Sequence, residues 1–152
     1  MSRMVLLDSG PLGMLTNPVA GEANAQCRDW VERLVALGDV IAVPEVADYE
    51  VRRELLRAGK TAGLGRLDAL SRHPAVRYLP ITTAAMRLAA AFWAEARRRH
   101  RPAAADLALD ADMILAAQAA LEDREDAEVV VATTNVAHLA DFVPASLWYD
   151  LT

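Results

Sequence analysis

Cysteine is almost absent from this chain of 152 residues, which contains Cys27 and no other. One cysteine cannot form an intrachain disulfide, and it cannot build a zinc site from a cysteine cluster. We therefore expect a protein of the reducing cytoplasm, where disulfides are rare. Cys27 itself is expected to pack as a small apolar residue of the core.

Long hydrophobic runs are lacking as well. The apolar run over residues 4–7 is too short for the core of a signal peptide, and Asp8 interrupts it. No run approaches the roughly 20 apolar residues that a transmembrane helix needs, so we expect neither a targeting segment nor a membrane partner. A glycine-rich phosphate-binding loop, a nucleophile elbow and a dinucleotide-binding fingerprint are also missing, which argues against the enzyme classes that depend on them.

Excess positive charge is the third absence. The net charge is −5 and the pI is about 5.2, which argues against a generally basic nucleic-acid binder. The net charge is still compatible with a local basic patch that binds nucleic acid, because counterion release depends on the residues at an interface and not on total charge.

The chain does contain a regular alternation of strand and helix patterns. Hydrophobic residues make up 54% and charged residues 24% of the sequence, which is ordinary for a soluble globular protein. The predicted strands cover residues 4–7, 40–44, 75–81, 127–135 and 146–151. The predicted helices cover residues 11–17, 21–38, 45–59, 62–73, 84–100 and 110–126, with a break over residues 101–106. This alternation predicts one three-layer α/β domain over residues 1–152, with a central parallel sheet of undetermined strand order.

Polar side chains follow the predicted strands at their carboxyl ends. Asp8 follows the first strand and Asn135 ends the run VVVATTN. Glu50 lies early in the helix after the second strand, and Asp110 and Asp112 lie at the start of the helix ADMILAAQAAL. These residues are expected to meet at one edge of a parallel sheet. Clustered carboxylates repel one another, so the pattern indicates a hard divalent cation, Mg²⁺ or Mn²⁺, of the kind that serves phosphoryl chemistry.

Each of these residues also has a structural explanation. Asp8 is able to start an Asp-Ser-Gly turn, and Glu50 is able to lie on a solvated helix face. Asp110 fits an N-cap and Asp112 the first turn of a helix, where acidic residues are favoured. Asn135 fits a turn or a cap. The functional interpretation therefore depends on their predicted convergence and not on any one of them.

The order of these segments resembles the PIN-domain ribonucleases, in particular the VapC-type toxins of bacterial toxin–antitoxin pairs. VLLDSGPLG is similar to the family's first strand with its metal-binding aspartate, which maps to Asp8. VPEVADYEVRREL is similar to the helix with the family's glutamate, which maps to Glu50. LDADMILAAQAAL is similar to the helix that opens with a metal-binding aspartate, which maps to Asp112, with Asp110 as a close neighbour. VVVATTNVAHLADF is similar to the segment that closes the site, but it has Asn135 where many members carry aspartate.

The resemblance implies a three-layer α/β/α PIN-like fold and a Mg²⁺-dependent endoribonuclease, with Mn²⁺ as a possible substitute. It implies that Asp8, Glu50 and Asp112 hold the ion, that Asp110 binds directly or supports these ligands, and that Asn135 has a weaker role. It also implies an RNA substrate of the tRNA or rRNA class, a homodimer and a small antitoxin partner that blocks the site. We expect Trp30 or the segment AGLGRLDAL to lie at the contact between subunits.

Two groups of basic residues are candidate RNA contacts. One is Arg52 with Arg53, beside Glu50, and the other is the segment over residues 97–101, which includes His100 and Arg101. For the second group a solvated helix end, where basic residues complement the helix dipole, is an equally simple explanation.

Three other functions are alternatives to the nuclease. A dehalogenase-like phosphatase requires a second aspartate two residues after Asp8, where the chain has Gly10, and a receiver domain requires a lysine late in the chain, whose only lysine is Lys60. A non-catalytic PIN-like module that binds RNA or protein is the third alternative, and Asn135 is its main support. Metal-dependent cleavage distinguishes it from the enzyme.

Overall fold

The structure is a computed structural model that describes residues 2–99, 106–123 and 125–152. Its strands are β1 Arg3–Leu7, β2 Val40–Pro44, β3 Val76–Leu79, β4 Glu128–Thr133 and β5 Ala145–Leu147. Its helices are α1 Ser9–Thr16, α2 Glu22–Ala36, α3 Glu45–Arg57, α4 Thr61–Ser71, α5 Thr83–Arg99 and α6 Asp106–Glu122, and a 3₁₀ turn covers Trp148–Asp150.

The sheet has the strand order β3-β2-β1-β4-β5, and all its strand pairs are parallel. β1 lies in the centre, with Val5 opposite Ile41 of β2 on one side and Val130 of β4 on the other. The chain runs outward from β1 to β3 and then returns to the other side of β1. Such a reversal leaves a crevice at the carboxyl ends of the two strands where it occurs, here β1 and β4, and ligands of α/β proteins commonly bind there.

Helices cover both faces of the sheet, as the alternation of patterns predicts. Side chains of β1 point alternately to the two sides: Val5 and Leu7 join a core with Trp30 of α2, while Leu6 joins a second core with Leu115 of α6. This two-residue period is that of a strand buried on both faces. The predicted three-layer α/β/α architecture is confirmed.

The boundaries of two elements, α6 and β5, differ most from the prediction. α6 begins at Asp106, so Asp110 lies inside the helix and is not its N-cap. The last predicted strand is only Ala145–Leu147, because the chain turns into the 3₁₀ segment Trp148–Asp150. Most of the predicted break over residues 101–106 lies outside the described residues.

Trp30 is a core residue, so the prediction that it contacts a second subunit is wrong. Its ring is 2% exposed and packs edge-on against Trp148, with 5.5 Å between ring centroids. Its indole N–H donates to the carbonyl of Leu151 at 2.8 Å, which ties the C-terminal segment to α2. The expected burial of Cys27 is confirmed, and burial raises the pKa of its thiol to about 11, which keeps the thiol protonated and unreactive.

Within the described residues, no helix combines the length and the apolar composition needed to cross a bilayer.

Candidate active site

Asp8 connects the end of β1 to the start of α1. Its backbone is extended and its Oδ1 accepts a hydrogen bond from the Ser9 N–H at 2.7 Å, so it caps the helix. Its own N–H donates to the carbonyl of Ala132 on β4 at 2.9 Å. Asp8 therefore lies at the crevice between β1 and β4, where a residue that follows β1 is expected to lie.

Thr133 holds the second oxygen of the same carboxylate. This residue ends β4 and is fully buried, and its Oγ1 lies 2.7 Å from Asp8 Oδ2, to which it donates. The N–H of Asn135 donates to the same hydroxyl oxygen at 3.1 Å. Donors from α1 and β4 thus fix the orientation of Asp8. The site residues predicted from the sequence did not include Thr133, although a polar residue at the end of the most apolar strand was an available signal.

The close approach between α1 and the segment after β4 depends on Gly10. A Cβ atom at this position would lie 2.6 Å from Cγ2 of Thr134, closer than atoms of packed side chains approach. Any larger residue at position 10 would therefore require either the Thr134 side chain or α1 to shift.

Glu50 of α3 and Asp112 of α6 lie within electrostatic reach of Asp8. Burial, followed by the charge of Asp8, raises the pKa of Asp112 to about 6. Burial also raises the pKa of Glu50, the charges of Asp8 and Asp112 add to this rise, and the guanidinium of Arg53 opposes it. The fold therefore brings together three of the five predicted site residues, from three different parts of the chain.

The other two predicted residues are placed differently. Asp110 is exposed and lines a groove between α5 and α6 with Met86 and Trp93. Two residues along an α-helix correspond to a rotation of roughly 200°, so Asp110 and Asp112 point to different sides of α6. Asn135 is exposed just beyond Thr133, and its Oδ1 accepts from the Ala137 N–H at 3.0 Å, so its amide oxygen stabilises the turn after β4.

The chemistry of the three carboxylates fits a hard divalent cation. Their oxygens are the ligands that Mg²⁺ and Mn²⁺ prefer. A cation between them would offset the repulsion that, after burial, adds to the rise in the pKa values of Glu50 and Asp112. Among the described residues, no group of three potential ligands already surrounds a common point. We therefore expect Glu50 and Asp112 to turn toward an ion while Asp8, held by Ser9 and Thr133, stays in place.

A groove of about 650 Å³ lies beside these carboxylates, between α1 and α3. Its lining includes Glu50 and three basic residues, Arg53, Arg57 and Lys60. Arg52, by contrast, is turned away from this groove, because its guanidinium binds Asp48 and Asp68 at 3.0 and 2.8 Å. Of the two arginines predicted to contact a phosphate, only Arg53 faces the groove.

The second predicted basic contact is only partly described. Arg97 lies over the ring of Trp93, 5.3 Å from its centroid, and Arg99 pairs with Glu95 on the same helix. His100 and Arg101 lie outside the described residues.

Comparison with known proteins decides the family. The family model of the PIN domain matches residues 6–138, most of the chain. The chain belongs to the PIN-domain family. The matched region contains Asp8, Glu50, Asp112 and Thr133. No match was found among curated protein sequences.

Several solved structures contain chains with the same fold. One is in the crystal structure of FitAcB from Neisseria gonorrhoeae, with a TM-score of 0.69 and 18% identity over 97% of this PIN domain and 100% of that chain. Another is in VapBC2 from Rickettsia felis bound to a DNA fragment from their promoter, with a TM-score of 0.66 and 12% identity over 94% and 97% of the two chains. A third is in DNA-bound VapBC from Salmonella typhimurium, with a TM-score of 0.63 and 16% identity over 97% and 99%.

PIN domains are generally nucleases that use divalent metals. The carboxylate site at the β1–β4 crevice is where this PIN domain holds residues suited to that chemistry.

Proposed function

We propose that this PIN domain, over residues 1–152, is a Mg²⁺-dependent endoribonuclease that hydrolyses RNA phosphodiester bonds as the toxin of a toxin–antitoxin pair. The observation that carries the proposal is the electrostatic coupling of Asp8, Glu50 and Asp112 at the β1–β4 crevice. Burial and the charge of Asp8 raise the pKa values of Glu50 and Asp112. Buried carboxylates whose charges repel one another are suited to bind a cation.

The residues of the site have separate tasks in this proposal. Asp8 is the metal ligand whose orientation is fixed before the ion binds, and Glu50 and Asp112 are the other two metal ligands. When bound by these residues, Mg²⁺, or Mn²⁺ in its place, would supply charge neutralisation at the phosphate and activation of a water molecule. Arg53, 3.9 Å from Glu50 Oε2 and on the groove wall, is positioned to bind a phosphate of the RNA.

Asp110 and Asn135 have indirect roles in the same proposal. Asp110 contributes negative charge near the N-terminal half of α6, and Asn135 keeps the turn after β4 in the conformation that leaves Thr133 facing Asp8. We propose that neither one replaces a ligand of the ion.

The partners are proposed by analogy. FitAcB, VapBC2 and VapBC contain chains that share this fold, and we propose a small antitoxin that covers the carboxylate site. We propose RNA of the tRNA or rRNA class as the substrate and the cytoplasm as the compartment.

The purified chain without its antitoxin tests the function. We expect cleavage of some member of a panel of tRNA and rRNA fragments with Mg²⁺ or Mn²⁺, and no cleavage with EDTA. If every fragment stays intact with both ions, the chain is a binding module and the nuclease proposal fails.

Thr133→Val is expected to reduce cleavage by about 10- to 100-fold, the usual effect of removing a group that orients a metal ligand. Valine has nearly the shape of threonine but cannot donate to Asp8 Oδ2. Thr133→Ser keeps the hydroxyl and should retain most of the activity. Rate measurements on both variants check this, and equal losses in the two would show that packing, not the hydrogen bond, matters at this position.

We propose that two copies associate through α5 rather than through Trp30. Met86 and Trp93 are 47% and 38% exposed on α5, seven residues apart and so on one face of the helix. A dimer mass at micromolar concentration is expected for the wild type, and a monomer mass for Trp93→Glu. A monomeric wild type would contradict the proposal.

A further inference from the structure

Tyr49 is the most prominent exposed aromatic residue next to the carboxylate site. It precedes Glu50 on α3, and 60% of its surface is exposed. An exposed ring at this place has no role in the core, so it is available to contact whatever enters the site.

Arg53 links this ring to the carboxylates. Its guanidinium carbon lies 5.2 Å from the centroid of the Tyr49 ring, and its Nη2 lies 3.9 Å from Glu50 Oε2. The ring and the guanidinium thus form one surface, which begins at Glu50 and extends outward along α3.

The groove beside this surface contains basic and acidic side chains, with the basic ones in excess by one. Arg53, Arg57 and Lys60 line it together with Glu50 and Glu54. Glu54 is paired with Arg57 at 2.8 Å, and Glu50 belongs to the carboxylate site. With Glu54 paired to Arg57 and Glu50 in the carboxylate site, Arg53 and Lys60 remain available to contact phosphates.

We propose that Tyr49 is a stacking platform for one unpaired base of the RNA, next to the phosphate that is cleaved. The proposal rests on the nuclease function above and specifies its substrate as single-stranded. Bases of a duplex are already stacked on one another, whereas an unpaired base can lie against an aromatic ring or a guanidinium plane. Every base has such a face, so Tyr49 selects for an unpaired nucleotide and not for a particular sequence.

The same surface also has one apolar feature. Leu56, seven residues after Tyr49 and on the same side of α3, is 62% exposed, and an apolar pair of this kind also suits a protein partner. The basic groove and the guanidinium over the ring favour RNA, and a protein partner is one of the outcomes that the binding experiment distinguishes.

Binding of a short single-stranded oligoribonucleotide to the full chain in EDTA is the primary measurement. Tyr49→Ala should weaken binding roughly tenfold, as expected when a stacking aromatic is lost, and Tyr49→Phe should restore it. Tyr149→Ala is the matched control, because Tyr149 is also 60% exposed but lies in the 3₁₀ turn after β5 and not on α3. Its affinity should equal that of the wild type, and binding of the fully paired duplex should not respond to Tyr49→Ala.

A series of oligonucleotides with one abasic site at each position locates the stacked base. At one position the abasic site should weaken wild-type binding by about the same factor as Tyr49→Ala and have no further effect on that variant. Separately, cleavage of the intact oligonucleotide by the wild type with Mg²⁺ or Mn²⁺ reports on the nuclease function.

These measurements separate the two proposals. If the wild type cleaves the RNA and Tyr49→Ala binds it as tightly as the wild type does, the platform is refuted and the nuclease stands. If the wild type binds but cleaves nothing, the nuclease fails and the abasic series still decides the platform. If Tyr49→Ala loses affinity for a co-expressed small protein but not for RNA, Tyr49 is a protein contact and the platform is refuted.

Discussion

Replacing Asp8 by asparagine is expected to lower the rate of RNA cleavage at least about a hundredfold and to leave the fold intact, because a metal ion in such a site supplies several kcal/mol of charge stabilisation. Asparagine keeps the local structure, since its side-chain oxygen can still accept from the Ser9 N–H and cap α1. The variant therefore removes a negative charge without removing the cap, which alanine would do.

The same substitution should also change the pKa values of the neighbouring carboxyl groups. The charge of Asp8 is one cause of the raised pKa values of Glu50 and Asp112, so both values should fall in Asp8→Asn. Titration of these carboxyl groups by NMR checks this independently of activity. Glu50→Gln and Asp112→Asn should also lose cleavage, because each removes one proposed ligand charge.

Asp29→Asn is a suitable control for Asp8→Asn. Asp29 is exposed on α2 and takes no part in the site, so its variant should cleave at the wild-type rate. Cleavage by Asp8→Asn at the same rate would mean that Asp8 only caps α1 and that the reaction takes place elsewhere on the protein.

In EDTA, the wild type should lose stability relative to Asp112→Asn as the pH rises from about 4 to above 6. An unperturbed aspartate has a pKa of 3.8, whereas the pKa of Asp112 in the folded protein is about 6. The folded state therefore binds more protons than the unfolded state within this window, and stability falls as the proton is released. Well above pH 6 the penalty is fully present, and it amounts to at most about 3 kcal/mol, less where water screens the partly exposed groups.

Denaturant unfolding of both proteins at several pH values measures this difference. Near pH 4 the protonated Asp112 resembles asparagine and the two proteins should be similarly stable, whereas at about pH 7.5 the variant should be the more stable one. Saturating Mn²⁺ should reverse the order at that higher pH, because ion binding stabilises the wild type and relieves the repulsion. A difference in stability that does not depend on pH would contradict the placement of Asp112 beside Asp8.

Asp112 and Glu50 lower the stability of the folded protein at neutral pH, because burial and neighbouring negative charges disfavour their ionised forms. The buried strands could support a more stable crevice if the acids were neutral. The fold keeps the carboxylates of Asp8, Glu50 and Asp112 within electrostatic reach of one another, an arrangement that a bound cation would stabilise.

Local patterns predicted most elements of this fold correctly. The three central strands β1, β2 and β4 are short apolar runs because both of their faces are buried, and such runs are visible without knowledge of their neighbours. Asp8 could be placed at the carboxyl edge for the same reason, since Ser9, Gly10 and Pro11 end the run. Trp30 was misplaced because an amphipathic helix shows which residues are apolar but not whether a neighbour covers them; here Trp148 does.

The sequence by itself determined that the chain alternates strands and helices, that these form a parallel sheet with two covered faces, and that acidic residues follow the strands. Only the tertiary structure decided that β4 pairs with β1 and creates the crevice between them. It also decided that Asp8 lies close enough to Asp112 to raise the pKa of Asp112, and that Thr133 donates to Asp8. The physical reason is that strand order and helix rotation depend on contacts between residues as distant as Asp8 and Thr133, and no local periodicity contains that information.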